Sequence, residues 1–184
     1  GRDDGADEVS ASVERLFDYA AWCDKFDGRV ANVPMRGLAV ALREPCGVIS
    51  AFCPDDRPLL GLVSLMAPAM AMGNRVVLVA SDPMPLAALE FSQVLETSDV
   101  PGGVVNILTG VHRDLVTPMA THMDIASVWS FSGSDLASKI EAGAAATLKR
   151  TWVGGARDWM AGGADRDFLD AATGVQTGWV PYGA

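Results

Sequence analysis

Apolar residues in this chain fall into short unbroken runs, each followed by apolar positions at helical spacing. The clearest case is Gly73-Asn-Arg-Val-Val-Leu-Val-Ala-Ser-Asp-Pro-Met-Pro-Leu86, where Val76–Val79 predict a strand covered on both faces. Ser81 and Asp82 offer capping oxygens, and Pro83 and Pro85 suit only the first turn of a helix. Ala87, Phe91, Val94 and Leu95 then share one helical face. Cys46–Cys53 predicts an earlier core strand, ended by the charged turn Pro54-Asp-Asp-Arg-Pro58. The helix after it carries Leu59, Leu62, Val63, Met66 and Met70 on one face, with a kink or early break expected at Pro68. Val104–Leu108, Ile125–Ser130 and Lys149–Val153 complete the strands, and Leu136, Ile140 and Ala144 mark a helix opened by Ser132-Gly133-Ser134. Arg113–Thr121 is weakly helical around Pro118.

This alternation predicts an α/β fold with a right-handed, doubly wound parallel sheet. Ligands on such sheets sit at the carboxyl ends of the strands, where the turns at 54–58, 80–83, 110–113 and 132–134 would gather. Upstream, Val9, Val13, Leu16, Phe17 and Ala20 predict an amphipathic helix ending near Asp27-Gly28. Residues 1–8, with four acids and two glycines, are expected to be a disordered start. Val30–Arg43 alternates as a β-hairpin or an extended arm. Beyond Gly155 the pattern fades into a tail, 156–184, with a short helix at Phe168, Leu169 and Ala172 and an aromatic end at Trp179-Val-Pro-Tyr182. The arm and this end are the expected subunit contacts.

Composition narrows the partners. The 184 residues suit one domain and, since they open on Gly1 instead of Met, a piece of a longer chain is an open expectation. A net charge of −9 repels phosphate backbones, so nucleic acid is not an expected partner. No apolar run reaches membrane-spanning length and no signal-peptide pattern opens the chain, so a soluble, cytoplasmic protein is expected. Cys23, Cys46 and Cys53 lack metal-motif spacing, as do His112 and His122. The cysteines read as small buried hydrophobes in a reducing compartment.

Five stretches carry a resemblance. Tyr19-Ala-Ala-Trp-Cys-Asp-Lys25, Glu44-Pro-Cys-Gly-Val48, Gly73-Asn-Arg-Val-Val-Leu78, Pro101-Gly-Gly-Val-Val-Asn-Ile-Leu-Thr-Gly110 and Phe131-Ser-Gly-Ser134 resemble, in order over residues 9–155, the aldehyde dehydrogenase superfamily. The resemblance implies a Rossmann-like domain of the type that binds NAD(P), an attacking cysteine thiol, and hydride transfer to the nicotinamide. Measured against that chemistry, the chain departs at each reacting position. Asp56 stands where the family places an oxyanion-stabilising asparagine, and a carboxylate repels a developing alkoxide. Val79-Ala-Ser-Asp82 replaces Lys-Pro-Ser-Glu, so the ribose-binding lysine is gone and cofactor affinity is expected to suffer. Trp152 stands at the glutamate general base and has no titratable group. No cysteine follows Cys53. Ser81, Asp82, Gly133 and Ser134 remain as vestigial cofactor-side positions, the last two also readable as a helix cap.

The resemblance therefore implies a scaffold without catalytic residues of its own, similar to the degenerate C-terminal domain of aldehyde dehydrogenase family sixteen. Its expected partners are a catalytic dehydrogenase domain, in cis or in trans, and further copies of itself in a homo-oligomer. Two alternatives stay open: a residual NAD(P)-binding module, and part of an active dehydrogenase whose nucleophile comes from elsewhere. Cys53 as a relocated nucleophile is disfavoured by Asp55 and Asp56 beside it.

Overall fold

The computed structural model describes residues 2–34, 36–132, 134–161 and 165–181. In chain order the elements are α1 (Arg2–Ala20), β1 (Arg29–Ala31), β2 (Leu38–Pro45), β3 (Val48–Phe52), α2 (Pro58–Ala71), β4 (Arg75–Val79) and α3 (Leu86–Glu96). There follow β5 (Val105–Leu108), α4 (His112–Thr121), β6 (Ser127–Ser130), α5 (Ser134–Ala145), β7 (Arg150–Val153), α6 (Arg166–Ala171) and β8 (Thr173–Val180). The expected alternation of strands and helices is present.

Strands β3 to β7 are parallel in the order β5-β4-β3-β6-β7. The chain starts in the middle at β3, winds outward through β4 and β5, then returns to β6 on the other side. This is the doubly wound, Rossmann-like sheet, with its switch point between β3 and β6. Ile49, Ala51, Phe52, Val76, Leu78, Val128 and Trp129 are all buried, as strands covered on both faces require. Helix α2 carries no charged residue and is buried from Leu60 to Ala69. It runs through Pro68 to Ala71, so the expected break is absent. Pro68 lies within one turn of the end, and the Met72 N–H donates to its carbonyl to close the helix.

Helix α1 departs from its sequence pattern twice. It begins by Arg2, so residues 2–8 are helical and not frayed. Glu8 explains part of this: its Oε1 accepts the N–H groups of Leu59 and Leu60 at 2.8 and 3.0 Å, capping α2, which has no side-chain cap of its own. The buried face is also not the apolar stripe. Ser12, Arg15 and Tyr19 are buried, whereas Val9, Val13 and Phe17 are 51%, 46% and 73% exposed. The buried polar groups are each paired: Ser12 Oγ donates to the Glu8 carbonyl, and Arg15 donates to Ser64 Oγ at 2.7 Å and to the Trp159 carbonyl at 3.1 Å.

The 30–43 arm is a hairpin of β1 and β2, and the aromatic end joins it. β8 pairs antiparallel with β2 over its whole length, Leu38 opposite Val180 and Pro45 opposite Thr173. The two regions expected as subunit contacts form one three-stranded sheet, while Tyr182 lies outside the described residues. Gly37 has no side chain because the Trp179 indole occupies that space. Asn74 ties the arm to the main sheet. Its Nδ2 donates to the carbonyls of Ala69 and Ala172, and its Oδ1 accepts from the Gly47 N–H.

Candidate functional site

The turns expected at one sheet edge do meet there. A cleft of about 840 Å³ is lined by Asp55 after β3, Asp82 after β4, His112 and Arg113 at the start of α4, and Ser132, Asp135 and Lys139 after β6. It sits at the switch point, where a doubly wound fold presents strand carboxyl ends and helix amino ends together.

Ser81 and Asp82 were expected to cap α3 or to face a ribose. The Ser81 hydroxyl, buried, donates to Asp55 Oδ1 at 2.7 Å. Asp82 Oδ1 accepts the backbone N–H of His112 at 2.9 Å, so it caps α4 and not its own helix. Pro85 is the N-cap position of α3 and supplies no side-chain bond. The His112 ring is buried edge-on against Phe52 with centroids 5.2 Å apart, and its Nε2 lies 2.7 Å from the Ala80 carbonyl. Ser132 Oγ donates to the Cys53 carbonyl at 3.4 Å, tying the ends of β3 and β6. Gly133 lies outside the described residues, and Ser134 is the first residue of α5.

Asp55, not Asp56, is the carboxylate of the 54–58 turn that lines the cleft and takes the Ser81 bond, although both are exposed. No signal in the dipeptide Asp-Asp separates the two. Trp152 is half-buried in β7 and packs against Trp129, Phe131 and Phe168 with centroid distances of 5.6, 5.3 and 4.6 Å. The position thus belongs to a ring cluster that α6 completes from the far end of the chain. Cys53 is fully buried, and burial, reinforced by the Asp55 carboxylate, pushes its thiol far above the ordinary range. A thiol held neutral is a poor nucleophile. Of the other cysteines, Cys46 is half-buried and Cys23 is exposed, contrary to the expectation that all three are buried. Among the described residues no group of His, Cys, Asp or Glu side chains forms a metal site. No described helix is long and apolar enough to cross a membrane.

Known proteins resemble this chain in sequence and in fold. The chain is 35% identical over 144 residues to an aldehyde dehydrogenase of Agaricus bisporus, covering 77% of this chain and 29% of that protein. It is 32% identical over 149 residues to the NADP/NAD-dependent aldehyde dehydrogenase PuuC of Escherichia coli, covering 80% and 30%. Among solved structures, an aldehyde dehydrogenase of Bacillus cereus superposes with a TM-score of 0.78 at 27% identity, covering 82% of this chain and 30% of that one. The chain spans about 30% of the length of the curated relatives it matches.

The residues present do not fit a dinucleotide. Val79, which the resemblance sets at the position of the ribose-binding lysine, is fully buried. Ser81 spends its proton on Asp55, and Asp82 is engaged by α4. Three carboxylates, Asp55, Asp82 and Asp135, line the cleft against two cations, Arg113 and Lys139, which leaves an excess of the sign a pyrophosphate carries. The fold and the aligned stretches are nonetheless those of one family, which matches residues 2–178: the chain belongs to the aldehyde dehydrogenase family.

Proposed function

We propose that this chain is a non-catalytic, cofactor-domain scaffold of an NAD(P)-dependent aldehyde dehydrogenase system, serving structure or assembly for a catalytic domain that oxidises aldehydes to acids. One observation carries the reading above the others: Trp152, which the resemblance sets at the general base's position, is packed into a five-ring cluster with Trp129, Phe131, Trp159 and Phe168. An indole there contributes packing and no proton transfer. The neutral Cys53 and the closed Ser81–Asp55 pair support the same reading.

The likeness to the degenerate C-terminal domain of family sixteen belongs to this proposal. So do a catalytic dehydrogenase partner in cis or in trans, self-association and a cytoplasmic setting. Support for assembly comes from the three-stranded sheet, whose edges β1 and β8 present unpaired strand backbone and whose exposed side chains include Leu42, Val175 and Trp179.

The purified chain, assayed with NAD and NADP across short aliphatic and aromatic aldehydes, is expected to give no reduced cofactor above the enzyme-free rate. Turnover that co-elutes with the chain through two chromatographic steps refutes the proposal. Light scattering coupled to gel filtration gives the self-association arm: deletion of 179–184 is expected to reduce the oligomer size.

A further inference from the structure

We propose that the pocket where β1, β2 and α6 bring Arg29, Arg43 and Arg166 together binds a small organic anion carrying two or more negative charges on carboxyl or phosphoryl groups. The pocket, about 430 Å³, shares no lining residue with the cleft at the switch point, so the inference does not rest on the non-catalytic reading. Arg29 stands opposite Ala41 across the β1–β2 pair, and Arg43 opposite Val175 across the β2–β8 pair. Ala41 and Arg43 are two apart on β2, so these four side chains leave one face of the sheet together. Arg166, the first residue of α6, is the third cation of the lining.

Aromatic rings hold two of the three cations. The Arg43 and Arg166 guanidiniums lie 4.6 and 5.3 Å from the centre of the Phe26 ring, hence within about 10 Å of each other, and Arg166 also lies 6.0 Å from the Trp22 ring. Arg43 is fixed further by Asp170 at 2.5 Å and by Thr173 Oγ1 at 3.2 Å. Arg29 and Arg166 have no carboxylate partner among the described residues, and Asp27, the one acid of the lining, pairs with neither.

This gathering runs against the composition of the chain. With 23 acidic residues to 14 basic ones, acids are in surplus, yet three arginines meet around a single acid of the lining. Like charges brought together repel, and an anion among them relieves the repulsion while accepting forked N–H pairs. An exposed apolar face calls for cover by further polypeptide. Hydrated arginines do not, so their convergence is the feature to explain, and every side chain of the pocket comes from this chain. Guanidiniums already held on rings lose little freedom on binding. The volume suits an organic body over a bare ion, with Ala41 and Val175 beside the cations to meet its carbon skeleton.

The test is calorimetric titration of the full chain with citrate, glycerol 3-phosphate, inorganic phosphate and a pentaglutamate peptide, all at a fixed ionic strength of about 0.15 M. Saturable one-to-one binding is expected for citrate or glycerol 3-phosphate, about tenfold or more tighter than for inorganic phosphate. Arg29→Ala and Arg166→Ala are each expected to weaken it by about tenfold or more, and Arg166→Lys, which keeps the charge but not the fork, to weaken it as well. Arg29 makes no side-chain bond among the described residues, so its removal reads binding and not folding, and circular dichroism checks each variant. No saturable heat up to about 10 mM, binding no tighter than that of phosphate, or indifference to Arg29→Ala overturns the proposal. So does tighter binding of pentaglutamate than of either small organic anion, since that makes an acidic polypeptide segment the occupant.

Discussion

The Tyr19 hydroxyl both donates to the carbonyl and accepts from the amide of Asp165, at 3.1 Å in each case, and so joins the first helix to the start of the last. Burial pushes this phenol up to about 12, outweighing the backbone bond from Asp165 that lowers it. A raised folded value contributes stability that is complete below the unfolded value near 10 and is lost as pH rises through the folded one. The tyrosinate absorbance of a Tyr182→Phe variant, which leaves Tyr19 as the one tyrosine, is expected to rise only near pH 12, with stability falling from about pH 10. Tyr19→Phe is expected to cost about 1–2 kcal/mol in urea unfolding at neutral pH and to remove that alkaline decline.

At the acid end Asp165 is the group to watch. Partial burial works to raise its carboxyl, but the Asp167 N–H and the Arg157 guanidinium hold it below the usual carboxylate range. Its contribution is therefore present above the unfolded value and lost as pH falls through the lower folded one, below about pH 4. Arg157 also lies 4.8 Å from the Phe168 ring, so near-ultraviolet circular dichroism of the ring cluster should follow this loss. Asp165→Asn is expected to show a weaker signal at pH 7 and a flatter profile in the acid window.

Glu8 caps α2 from another helix. Since Arg57 at the N-cap makes no side-chain bond, Glu8→Ala strands two amides and is expected to lower thermal stability by about 1 kcal/mol. Glu8→Gln, which keeps an acceptor but not the charge at the helix amino end, should cost less. Equal losses for the two variants would argue against the bond as the cause.

Cys53 should resist alkylation. With the thiol buried and neutral, iodoacetamide at pH 8 is expected to label the exposed Cys23 in the native chain and Cys53 only after denaturation, read by peptide mass spectrometry. Native labelling of Cys53 at the rate of a free thiol would revive it as a nucleophile.

Much of the fold was readable because β3 to β7 are covered on both faces, and unbroken runs such as Val76–Val79 mark that directly. The site was readable as a set of turns but not as a set of bonds. Ser81 and Asp82 look like caps of the helix that follows them, yet they bond to Asp55 and His112, about 30 residues away. Nothing local distinguishes Asp55 from Asp56. Helix α1 misleads for a different reason: its buried side is polar but paired, and periodicity records side-chain polarity, not partners found at Ser64, Trp159 and Asp165. The pairing of β2 with β8 joins residues 128 to 142 positions apart, and strand alternation carries no information on which strand lies alongside.

Calorimetric titration of the chain with NAD and with NADP bears hardest on the idea of a retained scaffold with a surrendered reaction. With Ser81 and Asp82 engaged by the chain itself and the cleft carrying an excess of carboxylate, no saturable heat is expected up to about millimolar ligand, a free-energy ceiling near 4 kcal/mol. Stoichiometric binding in the micromolar range, abolished by Arg113→Ala or Lys139→Ala, would contradict it.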